Sequence, residues 1–268
     1  MANRPNVPFR KGRSVCIFCG ATPTTKEHIW PQWAHSVLPR SEMHGRFIAT
    51  GRRSKPLRTH RHYNRQGSVQ TFRVKRVCGS CNSGWMSAQE TAVRPFVERM
   101  MLGKRTFLNS ERQRALAHYL AYKVLVLDWA DEEPASTLEV SSTFHKTGAP
   151  PPGMLIYLFN CWEGDWRAAL RTYFIGLAPE DRFLGPDMPK NVKSFAVGFG
   201  NLFVFAVLTP PEFDLNIEFD SPAAVRLWPM RDTQIIWPPR YPISSEEANY
   251  VAGTLGRIGE APNVIGID

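Results

Sequence analysis

Two short cysteine motifs decide how this chain folds at its N-terminal end: Cys16-Ile17-Phe18-Cys19 and Cys78-Gly79-Ser80-Cys81. Two residues between the cysteines let both thiolates of one turn reach the same ion, and two such turns complete the tetrahedral S₄ site that suits Zn²⁺. Each motif is followed by a small or turn-forming residue, Gly20 or Asn82. Free buried thiols and disulfides are the alternatives, but paired motifs in a chain with only five cysteines favour a structural zinc ion. The fifth, Cys161, is predicted to be a small core side chain.

The segment between the two motifs contains a second pattern, Glu27-His28-Ile29-Trp30-Pro31. The motifs are separated by 58 residues, which leaves room for a functional element between them. A carboxylate supplies a hard oxygen ligand for ions such as Mg²⁺. A neighbouring imidazole can accept a proton from water near neutral pH. The pair Glu27 and His28 therefore suits a hydrolytic site.

Together, the two cysteine motifs, the Glu-His-Ile-x-Pro pattern and Asn82 resemble the HNH, or ββα-metal, endonuclease superfamily. The resemblance covers residues 14 to about 92 and implies a strand that carries the acid–histidine pair, a hairpin, and a helix that begins just after the second motif. It also implies that His28 is the general base and that Glu27 and Asn82 hold a catalytic Mg²⁺ or Mn²⁺ ion, which polarises the scissile phosphate. The implied function is metal-dependent hydrolysis of phosphodiester bonds in DNA.

One position departs from the pattern of that superfamily. The middle asparagine of the family falls on Arg73 in this chain, so either Asn64 takes its place in space or Arg73 contacts a phosphate. This departure motivates an alternative, a non-catalytic zinc-dependent protein that binds nucleic acid. A third hypothesis is an interaction protein stapled by zinc. Glu90 is assigned to a helix surface rather than to the site.

The charge of the chain is concentrated at one end. Residues 1–105 hold 20 Lys and Arg against 4 acidic residues, whereas the remaining 163 residues hold 13 against 20. A strongly basic half points to a polyanion, and we favour nucleic acid over a membrane because no wide amphipathic helix accompanies the charge. DNA is favoured over RNA. The predicted phosphate contacts are Arg52, Arg53, Lys55, Arg58, Arg61, Arg65, Arg73, Lys75 and Arg76, and His60 and His62 are assigned to the same solvated basic loop.

The hydrophobic pattern predicts an α+β protein of two domains. A basic zinc-bearing module spans 1–105 and an α+β domain with a mostly antiparallel sheet spans 106–268, through which a protein partner or a second copy could bind. A helix is predicted from Asn82 to about Leu102, kinked or divided at Pro95. Further helices are predicted from a capping box of Ser110 and Gln113, and from a capping box of Ser244 and Glu247 to about Gly256. Strands are predicted at 137–145, 154–161, 168–177, 193–199, 201–208 and 223–229.

Length and composition favour a soluble, cytoplasmic protein. The 268 residues are 43% hydrophobic and 21% charged, which is typical of globular chains and excludes a mostly disordered or fibrous one. No apolar run reaches the length of a membrane span, and the basic N-terminus does not resemble a signal peptide.

Overall fold

The structure is a computed structural model that describes residues 14–38, 47–51, 71–131, 134–161, 168–177, 190–213 and 215–257. Six of the nine predicted phosphate contacts lie outside these ranges, as do Asn64, His60 and His62. The six are Arg52, Arg53, Lys55, Arg58, Arg61 and Arg65.

The described chain contains ten strands and seven helices, with one π-helical turn. The strands are β1 Thr24–His28, β2 Phe47–Gly51, β3 Arg73–Cys78, β4 Thr106–Asn109, β5 Met154–Asn160, β6 Ala168–Ile175, β7 Val192–Phe199, β8 Leu202–Leu208, β9 Val225–Trp228 and β10 Gln234–Trp237. The helices are α1 Ala34–Val37, α2 Gly79–Cys81, α3 Ser87–Met101, α4 Ser110–Asp128, α5 Leu138–Thr147, α6 Ser245–Ala252 and α7 Thr254–Arg257, and the π-helical turn Asn82–Met86 joins α2 to α3.

A six-stranded sheet forms the centre of the fold, in the order β2-β6-β7-β8-β5-β9. Every neighbouring pair is antiparallel except β2 with β6, so the predicted α+β class with a mostly antiparallel sheet is confirmed. Two smaller sheets pair β1 with β3 and β4 with β10.

The two faces of the large sheet are buried against different layers. In β8, Val204 and Ala206 join the cluster that contains α3 and α4, whereas Phe203 and Phe205 join the cluster that contains α6. This alternation follows from the two-residue period of a strand. It explains why β5 and β8 read in the sequence as nearly continuous apolar runs.

The hydrophobic cluster on the α4 side extends into the N-terminal region. It includes Cys16, Cys78 and Cys81 together with residues of α3, α4 and the large sheet. The cluster therefore contains residues from both sides of the predicted boundary between 105 and 106, and the division into two domains stays a prediction.

The segment 137–145 was predicted as a strand, but the structure shows helix α5 there. The Thr137 side chain accepts a hydrogen bond from the backbone N–H of Val140, which caps the N-terminus. Gly148, with a φ of +68°, ends the helix in the left-handed conformation that favours glycine. Ser141 and Phe144 are buried three residues apart, as expected for one face of a helix.

Three further details differ from the sequence prediction. The N-cap of α4 is Asn109 rather than Ser110, since the Asn109 side chain accepts the bond from Arg112 N. The helix after the second cysteine motif is interrupted at Gly84, whose φ of −91° and ψ of −112° are not helical, whereas α3 continues through Pro95. Strands β4 and β10, each of four residues, were not predicted. The capping box of Ser244 and Glu247 is confirmed.

None of the described helices combines the length and apolar composition needed to cross a bilayer.

Candidate functional site

The four cysteines of the two motifs converge on one point. The Sγ atom of Cys19 lies 3.5 Å from that of Cys78 and 3.6 Å from that of Cys81, and all four sulfurs, including that of Cys16, lie within 4.8 Å of one another. A tetrahedral ion with Zn–S bonds of about 2.3 Å holds its sulfurs about 3.8 Å apart. This four-cysteine cluster therefore fits a structural zinc ion, whereas Cys161 is buried elsewhere.

Backbone hydrogen bonds shape both cysteine turns. Gly20, with a φ of +75°, closes the first turn, and its N–H donates to the Cys16 carbonyl at 2.9 Å. The N–H of Ile17 donates to the carbonyl of Arg76 in β3 at 3.0 Å, which fixes the first turn against the second motif. In the second turn the Cys78 sulfur accepts the N–H of Cys81 at 3.5 Å and caps α2.

The thiols of the cluster differ in their acidity. Burial opposes ionisation of Cys78, but hydrogen bonds to its sulfur, chiefly from the Ser80 hydroxyl and the Cys81 N–H, lower its pKa to about 6. Burial raises the pKa of both Cys19 and Cys81 above that of an ordinary thiol. Because a metal ligates thiolates, binding of an ion and loss of the remaining protons are coupled at this cluster.

The acid–histidine pair lies in the two-stranded antiparallel sheet of β1 and β3, next to the cluster. We call this pair of strands the hairpin, although β2 lies between them in the sequence. Strand β1 pairs antiparallel with β3, so that Glu27 faces Val74 and His28 faces Arg73, with an irregularity between Thr25 and Glu27. Strand β3 runs into α2, and α2 continues through the π-helical turn into α3. The order of these elements is strand, strand, helix.

Glu27 is buried and forms an ion pair. Its side chain lies on the same face of the hairpin as that of its buried cross-strand partner, Val74. Its Oε1 atom accepts a hydrogen bond from Lys123 Nζ at 2.7 Å. Lys123 belongs to α4 and also donates to the His28 carbonyl at 2.7 Å. Glu90 of α3 completes the group, with Oε2 at 3.4 Å from Lys123 Nζ. Glu27 is therefore held by a protein cation.

His28 lies on the other side of the hairpin and is partly exposed. Its Nε2 atom is 3.5 Å from Nε2 of Gln32. Burial lowers the pKa of the His28 imidazole below 6.5, and the charges of Arg73 and Lys123 lower it further. The imidazole is therefore neutral near pH 7 and can accept a proton.

Asn82 contacts strand β1 through Thr25. It is the first residue of the π-helical turn, and its Nδ2 donates to Thr25 Oγ1 at 3.2 Å. Among the described residues, the four cysteines are the only group of three or more Cys, His, Asp and Glu side chains that converge on one point. A divalent ion held by Glu27 and Asn82 would have to displace Lys123 from Glu27, whereas the bond that Asn82 makes through Nδ2 does not engage its Oδ1 atom.

The three predicted phosphate contacts that the structure describes have different roles. Arg73 and Lys75 are exposed, and because they alternate along β3 opposite His28 they share its side of the hairpin. We call His28, Arg73 and Lys75 the His28 face. Arg76 is half-buried; its Nε donates to the Trp129 carbonyl at 2.9 Å, and its guanidinium lies 5.9 Å from the centre of the Trp129 ring. Arg76 thus contributes to packing.

The comparisons with known proteins find no match. No protein-family model, no curated protein and no solved structure matches this chain.

Sequence reasoning missed two residues of this site, Lys123 and Glu90. Lys123 is the single charged residue in the otherwise apolar stretch 115–127, apart from His118. A lysine at a helix position surrounded by buried residues needs a partner, because an unpaired charge is costly to bury. That local signal could have identified Lys123, but it could not have named Glu27, which is 96 residues away.

The lowered pKa of His28 gives a testable pH dependence. We expect an NMR titration of the His28 ring to give a pKa below 6.5, and Arg73→Gln to move it upward by removing a nearby positive charge. Since the unfolded chain then binds the proton more tightly than the folded one, stability should fall as the pH drops below about 6.5 and through the folded pKa. Lys146→Gln, on α5, is the control and should leave the titration unchanged. A His28 pKa at or above 6.5 in the wild type would contradict this prediction.

Proposed function

We propose that this chain is an endonuclease of the HNH, or ββα-metal, type that hydrolyses phosphodiester bonds in DNA, with His28 as the general base. The observation that carries the proposal is the partly exposed, neutral imidazole of His28 on a hairpin held next to the four-cysteine cluster. Arg73 and Lys75 on the same face supply two positive charges for a phosphate. The predicted zinc ion would fix the hairpin to the start of the helix.

In this proposal each residue of the His28 face has one task. The unprotonated nitrogen of His28 takes a proton from the attacking water as the water oxygen bonds to phosphorus. The bond from phosphorus to the leaving sugar oxygen breaks, and that oxygen takes a proton from solvent. Arg73 and Lys75 contact the phosphate oxygens and favour the charge that develops there. A catalytic Mg²⁺ or Mn²⁺ ion would bind Glu27 and the Oδ1 atom of Asn82 only after Lys123 had released Glu27, so the steps above do not use such an ion.

A cleavage assay with His28→Ala tests the proposal. The zinc-loaded full chain is incubated with supercoiled plasmid and, separately, with single-stranded RNA, in Mg²⁺, in Mn²⁺ and without added divalent ions. Loss of a general base slows a reaction by about 10²–10⁴-fold, and we expect a decrease of that size for the alanine variant.

The matched control is His145→Ala, which removes a partly buried imidazole from α5, outside the hairpin. His145→Ala should cleave like the wild type, and both variants should keep their zinc. Equal cleavage by the wild type and His28→Ala would refute the proposed role of His28, and a faster reaction on RNA would change the substrate class.

A second candidate is a zinc-dependent protein that binds nucleic acid without cleaving it. The ion pair between Glu27 and Lys123, and the presence of Arg73 where the superfamily has asparagine, favour this candidate. It predicts retention of DNA without cleavage in any of the three ion conditions. If six to ten phosphates are contacted, affinity should fall by about 10³–10⁵ between 50 and 200 mM salt.

A further inference from the structure

The ammonium of Lys123 is surrounded by oxygen atoms from three different elements. Nζ lies 2.7 Å from Glu27 Oε1, 2.7 Å from the His28 carbonyl oxygen and 3.4 Å from Glu90 Oε2. The side chains of Lys123 and Glu27 are only 6% and 8% exposed. The rings of Tyr119 and Tyr122 lie on the same group, with centres 5.6 Å and 5.2 Å from Nζ. A single positive charge is thus enclosed by two carboxylates, one carbonyl and two aromatic rings.

This set of oxygen atoms would also suit a metal ion. Carboxylate and carbonyl oxygens are the ligands that Mg²⁺ and Mn²⁺ prefer, and here they already converge on a cation. The three N–H bonds of an ammonium can be directed to three acceptors, which is the number present. The ammonium of Lys123 therefore occupies the oxygen atoms that a metal ion at Glu27 would need as ligands.

We propose that Lys123 is the resident cation of the Glu27–His28 site: its ammonium holds Glu27 and the end of β1, and it keeps divalent ions off Glu27. The cation comes from α4, so the site requires a residue beyond the predicted module 1–105. Its donation to the His28 carbonyl makes Lys123 a positioning residue for His28, whose side chain faces the opposite side of the hairpin.

Competition by Lys123 has a measurable consequence for metal binding. An ion that binds Glu27 must first separate a buried ion pair, which weakens its apparent affinity by about a hundredfold or more. Replacing Lys123 with methionine removes the ammonium and keeps a side chain of comparable length. The two carboxylates, Glu27 and Glu90, then lack a counter-charge and become a site for an added cation. An ion pair that served only to stabilise the fold would predict lower stability in this variant but no new metal site.

The test is a Mn²⁺ titration followed by electron paramagnetic resonance, on the zinc-loaded full chain. We expect Lys123→Met to bind one Mn²⁺ at least about a hundredfold more tightly than the wild type, a change of about 2.7 kcal/mol. The double variant Lys123→Met with Glu27→Gln should lose that site, and Lys123→Arg, which keeps a positive charge, should behave as the wild type. The proposal is overturned if the wild type binds a Mn²⁺ ion that Glu27→Gln removes, or if folded Lys123→Met gains no site.

If circular dichroism shows that Lys123→Met is unfolded, NMR of the wild type tests whether Mn²⁺ is kept off Glu27. A Mn²⁺ ion bound to Glu27 would broaden the NMR signals of the His28 ring, which belongs to the next residue. We expect these signals to be broadened no more than those of His145 on α5, and selective broadening of His28 would overturn the proposal.

This inference rests on the proposed site but not on its activity. The experiment measures metal binding, so a chain that cleaves no nucleic acid can still support the role of Lys123. Conversely, cleavage that depends on His28 in the absence of divalent ions would support both the endonuclease and the resident cation.

Discussion

Replacing Cys81 with alanine should release the metal of the four-cysteine cluster and destabilise the chain by more than about 3 kcal/mol. Structural zinc sites contribute apparent binding free energies of about 10–16 kcal/mol in small zinc-finger peptides, and part of that energy is folding energy. Here the ion would join the turn at Cys16 and Cys19 to the start of the helix at Cys78 and Cys81, and three of these four residues are buried. Loss of one thiolate leaves a partial site in the core.

The chain contains its own control for this experiment. Cys161 is also buried, at 4% exposure, but it lies outside the cluster. Cys161→Ala removes the same atoms from a core position and should cost only about 1 kcal/mol. With about 2–4 °C of melting temperature for each kcal/mol in a chain of this size, the two variants are separable by thermal unfolding.

Metal content checks the same prediction directly. Elemental analysis should find one zinc per chain in the wild type and in Cys161→Ala, and less in Cys81→Ala. The prediction would be contradicted if Cys81→Ala retained one zinc per chain and had the same melting temperature as Cys161→Ala.

Lys193→Met should be the other strongly destabilising change, at about 3–5 kcal/mol. Lys193 is buried in β7, and its ammonium lies 3.4 Å from Oδ1 of Asp128 and also contacts Asp131. Asp128, at the end of α4, is 0% exposed. Removing one partner of a buried ion pair leaves the other charge uncompensated, which is the costly case. The lysine thus joins the C-terminal end of α4 to the central sheet.

The hydrogen bonds of Asp128 explain why this carboxylate cannot simply turn away. It accepts from the N–H of Ala135 at 3.0 Å and from the N–H and hydroxyl of Ser136 at 2.8 Å and 2.7 Å. Denaturant unfolding measures the effect, with the exposed Lys146→Met as the matched control, for which we expect a change within about 0.5 kcal/mol. A loss in Lys193→Met no larger than in the control would show that the pair is not needed.

Local sequence patterns were sufficient where neighbours in the chain form the structure. The spacing of Cys16 and Cys19, and of Cys78 and Cys81, predicted a cluster that the structure assembles. The apolar runs predicted five of the six strands of the central sheet, and the exception is β2, for which no strand was predicted. The prediction at 137–145 was wrong because the caps of α5, Thr137 and Gly148, outweigh its β-branched composition.

Local patterns did not predict the contacts between segments that are far apart in the sequence. The sequence places Glu27 and His28 next to each other, but only the hairpin register shows that they face opposite sides. The sequence likewise gave no sign that Arg76 would donate to Trp129 rather than face a phosphate.

The chain alone therefore determined the cysteine cluster, the candidate acid–histidine pair and the mixed class of the fold, because each depends on spacing or periodicity within a few residues. Only the tertiary structure decided that Glu27 is buried in an ion pair and that His28 is partly exposed. Packing of α4 against the hairpin brings the Lys123 ammonium to Glu27 and leaves His28 on the exposed side with Arg73. The partner of a buried charge is set by tertiary packing, because packing brings together side chains that are far apart in sequence.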